Sequence, residues 1–124
     1  MRLLLDTHAF IWWRAREQEI SNEIRAAIQD ADDVFVSVVS AWEIAIKTSV
    51  GKFALQASVE EGIRESHFEI LPIDLKHTDA VAALPFHHRD PFDRMLIAQC
   101  QVEKLTLVTA DRRLQPYDVP FLWM

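Results

Sequence analysis

Residues 34–51, VFVSVVSAWEIAIKTSVG, decide the fold class. The first six, VFVSVV, are mostly β-branched and apolar without alternation. A strand with one wet face alternates apolar and polar side chains. An unbroken apolar run is what a strand covered on both faces requires, the situation of parallel sheets flanked by helices. Ser40 can then act as N-cap of a helix over AWEIAIKTSV, and Gly51 stands at the usual C′ position. A doubly buried strand that feeds straight into a helix is one half of a βαβ unit.

The alternation continues in both directions. Upstream, residues 2–5 (RLLL) form a short β-type run, residues 7–14 follow as a helix, and Ser21 caps a second helix whose periodic positions are Ile24, Ala27 and Ile28. Downstream, Ser58 opens a helical stretch, VEEGIRESHF, weakened by Gly62. A third strand is expected over residues 69–73 and a short helix over 76–84, ended by Pro85. Pro91 suits the first position of a long helix, PFDRMLIAQCQVEK, and LTLVT (105–109) reads as the fourth strand. VPFLW (119–123) reads as a fifth, with Pro120 confining it to an edge. The expected fold is α/β with a mainly parallel central sheet, in one domain over residues 1–124.

Bulk properties narrow the function class. A net charge of −6 argues against broad electrostatic binding of nucleic acid, unless acids are clustered around cations that invert the local charge. The one cysteine, Cys100, excludes an intrachain disulfide and falls in an apolar helical run, as a buried thiol would. No run approaches the roughly 20 apolar residues of a membrane span, and the apolar stretch in MRLLLDTHAF is too short for a signal peptide. A cytoplasmic location without membrane attachment is the expectation.

Four acids gain meaning from the element order. In open α/β sheets, ligands bind outside the carboxyl ends of the strands. Asp6 directly follows the first strand, Glu43 lies in the first turn of the helix leaving the second, and Asp111 follows the fourth by two residues. Asp93 joins them if the start of its helix returns to that edge. Each also has an ordinary reading. Asp90, Pro91 and Asp93 resemble a capped helix start, Glu43 and Lys47 an i,i+4 pair, and Asp111 a turn residue. Asp6 is the hardest to dismiss, because an acid ending a buried strand needs a partner. Clustered carboxylates repel unless a cation sits among them, and a hard oxygen donor set without cysteine suits Mg²⁺ or Mn²⁺ rather than zinc. Metal-assisted phosphodiester hydrolysis is the chemistry such a set supports.

The blocks LLLDTHAFIWW, SAWEIAIK, HHRDPFDRMLIAQ and TLVTADRRL, in this order, strongly resemble the PIN domain of VapC-type toxins, and the resemblance covers essentially the whole chain. It implies a three-layer α/β/α sandwich and Mg²⁺-dependent endoribonuclease activity on RNA, often a structured cellular RNA such as tRNA. It also implies a VapB-type antitoxin partner that wraps the domain and binds DNA through its other end, and in many members a homodimer. The family's acidic quartet maps to Asp6, Glu43, Asp93 and Asp111 as catalytic and metal-holding residues. The ungapped alignment of DRMLIAQC selects Asp93 and leaves Asp90 as the cap.

Around this set, His87, His88 and Arg89 could meet RNA phosphate or a base, as could Arg112 and Arg113, with Arg112 the expected electrostatic helper. Thr7 and Thr109 could orient water or bond the local backbone. Of Trp12 and Trp13 one is expected at an interface, while Trp42 and Trp123 are expected in the core. An aspartyl-phosphate hydrolase would want a second Asp two residues after Asp6, where His8 stands. A receiver-like domain would want an acid pair after the first strand and a lysine after a late one. A relative that only binds RNA or protein should have lost an acid, and all four are present.

Overall fold

The computed structural model describes residues 1–124. Five strands, β1 (Arg2–Leu5), β2 (Asp33–Ser37), β3 (Glu69–Leu71), β4 (Thr106–Thr109) and β5 (Phe121–Trp123), form one sheet in the order β3-β2-β1-β4-β5. Every neighbouring pair is parallel. Six helices accompany it: α1 (Thr7–Ala15), α2 (Asn22–Asp30), α3 (Val38–Ser49), α4 (Val59–Glu65), α5 (Leu75–Ala83) and α6 (Pro91–Glu103), with 3₁₀ turns at Glu17–Glu19 and Arg112–Leu114.

Successive strand side chains point to opposite faces, so the sheet separates two apolar layers. On β1, Leu3 and Leu5 join Phe10, Ile24, Ile28 and Ile63 beneath α1, α2 and α4. Leu4 points the other way, into Leu84, Leu96, Ile97 and Leu107 beneath α5 and α6. Gly62 has a packing reason within α4: a Cβ there would come within 3.1 Å of Phe10 Cζ, so glycine lets α4 lie against α1. Pro120 offers its carbonyl to the amide of Leu107, which the outermost strand position permits.

The second strand ends two residues earlier than its apolar run suggests. Ser37 rather than Ser40 is the N-cap of α3, its hydroxyl accepting from the amide of Val39 at 3.0 Å. The helix therefore starts at Val38, and Glu43 falls in its second turn, not its first. Val38 and Val39 are β-branched but helical, because a capping hydroxyl, and for Val39 burial, outweigh a weak local preference. Ser40 instead lies fully buried, 3.0 Å from the Thr7 hydroxyl. Trp42 is a second correction: it is 58% exposed, packing edge-on against Phe92 rather than entering the core. Trp12, Trp13 and Trp123 are all partly buried, with Trp123 stacked on Phe121.

The sheet order reverses between β1 and β4: the chain first builds outward through β2 and β3, then returns to the other side of β1. That switch point opens a crevice at the carboxyl ends of the two strands. The end of β2 is fixed by a buried bond from the Ser37 hydroxyl to Gln99 Oε1, 2.6 Å, across to α6. Ser37→Ala removes a cap and strands a buried amide oxygen, so it should lower unfolding stability by about 2 kcal/mol in urea titration. An unchanged midpoint and slope would show that this bond does not fix the strand end.

Candidate active site

The carboxyl ends of these strands carry acids that the local chain geometry delivers. Asp6 leaves β1 with its amide on the carbonyl of Val108 at 3.0 Å, then caps α1, its Oδ1 accepting from the amide of Ala9 at 2.8 Å. It is only 6% exposed. Burial raises its carboxyl above the usual aspartate range, against the opposing pull of the Thr109 hydroxyl, the Ala9 amide and His8, and the Glu43 charge raises it further. Glu43, also buried, reaches the site from α3 with both oxygens engaged. Thr7 donates to Oε1 at 2.7 Å, and Lys47 lies 3.0 Å from Oε2.

Asp93 does return to this edge. Asp90 is the N-cap of α6, accepting from the amides of Phe92 and Asp93, and this fixes the first turn that presents Asp93. Burial, then the neighbouring Asp90 charge, lifts the Asp93 carboxyl to about 6, and Asp6 contributes in the same direction. His88 opposes the rise, its Nε2 lying 3.0 Å from Asp93 Oδ2. Asp111 caps the 3₁₀ turn after β4 and is gripped by Arg113. Nε meets Oδ1 at 2.9 Å and Nη2 meets Oδ2 at 2.8 Å, and this fork holds the carboxyl below its ordinary value.

One ligand atom each from His88, Asp93 and Asp111 lie within 4.8 Å of one another. Asp6 is electrostatically coupled to both Glu43 and Asp93, and Asp111 joins this group beside Asp93 with its charge balanced by Arg113. Their mutual repulsion, with an oxygen-rich donor set, fits a hard divalent cation. A second group with similar spacing, Asp74, His77 and Glu103, is already satisfied. His77 Nδ1 accepts from the Asp74 amide in a capping box, and Nε2 faces Glu103 Oε2 at 2.9 Å. It holds α5 to the end of α6.

The basic residues are placed differently from the sequence expectation. Arg113, not Arg112, is the arginine on the acids, while the Arg112 guanidinium lies over the Trp123 ring at 4.4 Å. Arg89 is exposed, and the His87 ring packs on Tyr117. His88, expected as an RNA contact, is bonded to Asp93. Its spacing, five residues ahead of an acid in a helix's first turn, was the available signal. Arg94 and Tyr117 carried no such signal, yet they shape the loop before α6. Arg94 Nη1 donates to the Tyr117 hydroxyl and to the Pro85 carbonyl.

The sequence pattern of the PIN domain matches residues 3–120. Ribonuclease VapC22 of Mycobacterium tuberculosis (strain ATCC 25618 / H37Rv) is 31% identical over 121 residues, covering 95% of this chain and 93% of that protein. Among solved structures, VapBC2 from Rickettsia felis bound to a DNA fragment from their promoter superposes with a TM-score of 0.70 at 14% identity, over 98% of both chains. A toxin–antitoxin complex from Klebsiella pneumoniae gives 0.60 at 18% identity, over 89% of this chain and 87% of that one. At such identities the structures speak for the fold, and the sequence matches speak for the lineage. The chain belongs to the PIN-domain family, on its VapC side.

Proposed function

We propose that residues 1–124 act as one PIN-like domain, a metal-dependent endoribonuclease and the toxin of a toxin–antitoxin pair. The observation that carries this reading is the convergence of Asp6, Glu43, Asp93 and Asp111 on the switch-point crevice. Asp6, Glu43 and Asp93 are assigned to hold Mg²⁺, with Mn²⁺ able to take its place, and Asp111 either completes the set or orients water. Bound there, the cation would polarise a phosphodiester and acidify water for attack. The chain's own residues prepare the place. Helix N-termini and hydroxyls hold the carboxylates in position, and Arg113 offers an exposed guanidinium for RNA phosphate once it leaves Asp111.

The 31% identical relative bears the name ribonuclease, and a matched structure is described as a toxin–antitoxin complex. These support an RNA substrate and a VapB-type partner. A groove of about 470 Å³, lined by Ala41, Ile44, Ala45, Leu55 and Val59 among others, offers apolar surface for such a partner. An exposed stripe along α3 and its C-cap, Val38, Trp42, Ile46 and Val50, would suit a second copy in a homodimer. No helix is long and apolar enough to cross a membrane, and the buried Cys100, its thiol pushed up by burial, suits a reducing cytoplasm.

Cleavage of total RNA should require Mg²⁺ or Mn²⁺ and stop in excess EDTA, with DNA and a phosphatase substrate left untouched. Asp93→Asn should lose nearly all of it, while Asp90→Asn should keep much of it and most of its stability, because asparagine caps a helix about as well as aspartate. Undiminished cleavage in EDTA removes the metal mechanism, and an inactive Asp90→Asn beside an active Asp93→Asn reverses the assignment of the two acids.

The raised Asp93 carboxyl sets a pH dependence. Its folded value, about 6, lies above that of the unfolded chain. The native state therefore holds this proton more tightly, and ionising Asp93 costs stability as pH rises from about 4 to about 6. In EDTA, Asp93→Asn should gain on wild type across that window and keep a constant lead above it. Metal-dependent cleavage by wild type should rise through the same pH, since the cation needs the ionised carboxylate. A melting difference independent of pH would show that Asp93 is not held as a raised, buried acid.

A further inference from the structure

We infer that His88 is a nitrogen ligand in this cation site, so that the site takes Mn²⁺ in preference to Mg²⁺. The inference rests on the reading that the acids hold a cation, and it concerns which ion and through which atoms.

The spacing comes first. His88 Nε2 lies 3.0 Å from Asp93 Oδ2, and an oxygen of Asp111 completes a triplet within 4.8 Å. Donors at about 2.1 Å from one octahedral ion stand about 3.0 Å apart when adjacent and about 4.2 Å apart when opposite. The His88–Asp93 pair has the separation of adjacent ligands to a single ion, and Asp111, once freed from Arg113, lies near enough to join them.

The chain also holds His88 there by means that leave its ring free to act. The backbone amide of His88 donates to the Tyr117 hydroxyl at 3.1 Å, and that hydroxyl donates to the Pro85 carbonyl at 2.9 Å. Arg94, buried and without a carboxylate partner, places its guanidinium on the carbonyls of Pro85, Val81 and Leu84 and over the Phe86 ring at 4.1 Å. A buried guanidinium costs much desolvation unless fully bonded. Here its bonds go to the end of α5 and the start of the loop that carries His88. The two neighbouring histidines are thereby sorted: His87 is exposed against Tyr117, while the His88 side chain is 10% exposed and faces the acids.

Ligand chemistry then selects the ion. Mg²⁺ is held by oxygen donors and water, whereas imidazole suits transition metals, of which Mn²⁺ also accepts carboxylates. A neutral imidazole adds a donor without adding to the acids' repulsion.

Mn²⁺ added to the intact, metal-stripped protein tests this directly. Electron spin-echo envelope modulation should show ¹⁴N coupling to the bound Mn²⁺ in wild type and in His87→Ala, and none in His88→Ala. Competition titrations should show the preference for Mn²⁺ over Mg²⁺ falling about tenfold or more in His88→Ala. That variant keeps the backbone bond to Tyr117, so the loop retains its anchor. Mn²⁺ bound to wild type without nitrogen coupling, or coupling that survives in His88→Ala, overturns the ligand role and leaves the cation site standing. Wild type that binds no Mn²⁺ overturns both.

Discussion

Like-charged carboxylates crowded into one crevice are the constraint on which the rest of this molecule turns. Asp6 is buried at the end of the central strand, and Glu43, Asp93 and Asp111 are brought to it from three other segments. Each acid leans on a donor close by: Asp6 on the Ala9 amide, Glu43 on Thr7 and Lys47, Asp93 on His88, and Asp111 on Arg113. These bonds moderate the repulsion, but burial, with the neighbouring charges adding to it, keeps the Asp6 and Asp93 carboxyls raised. A divalent ion bound there, as proposed, would offset that cost and so link binding to folding free energy.

The scaffold answers the constraint with rigid anchors remote from the acids. Ser37 bonds Gln99, whose amide reaches the Pro72 carbonyl, and His77 ties the start of α5 to Glu103 at the end of α6. Arg94 and Tyr117 secure the loop before α6. No buried side-chain polar atom is left without a partner. Such networks contribute geometry more than net stability, because each bond replaces one to water. Their value is that four acids from distant segments are held in one place.

Much of this was legible in the sequence because the determining signals are local. The apolar run at 34–39 announced a doubly covered strand, and Pro91 and Asp90 announced the start of α6. Asp6 stood out because a buried strand cannot end in an acid without a partner. The boundary at Ser37 was not legible: two serines three residues apart can each cap a helix, and only the partner Gln99, 62 residues away, decides between them. Trp42 misled because large aromatics usually pack inside, whereas here α3 leaves one face uncovered. The choice between Arg112 and Arg113 depends on the direction of a short 3₁₀ turn, which composition does not fix.

The most direct measurement is the thermal stability of wild type and Asp6→Asn, each in EDTA and in excess Mg²⁺ or Mn²⁺. Asparagine keeps the capping bond to Ala9 and removes one buried charge. The account predicts that Asp6→Asn melts above wild type in EDTA, by on the order of 1 kcal/mol in stability. It also predicts that the cation raises the melting temperature of wild type and barely moves the variant. If Asp6→Asn melts lower in EDTA and neither protein responds to the cation, the acids are structural groups and the crevice is not a metal site.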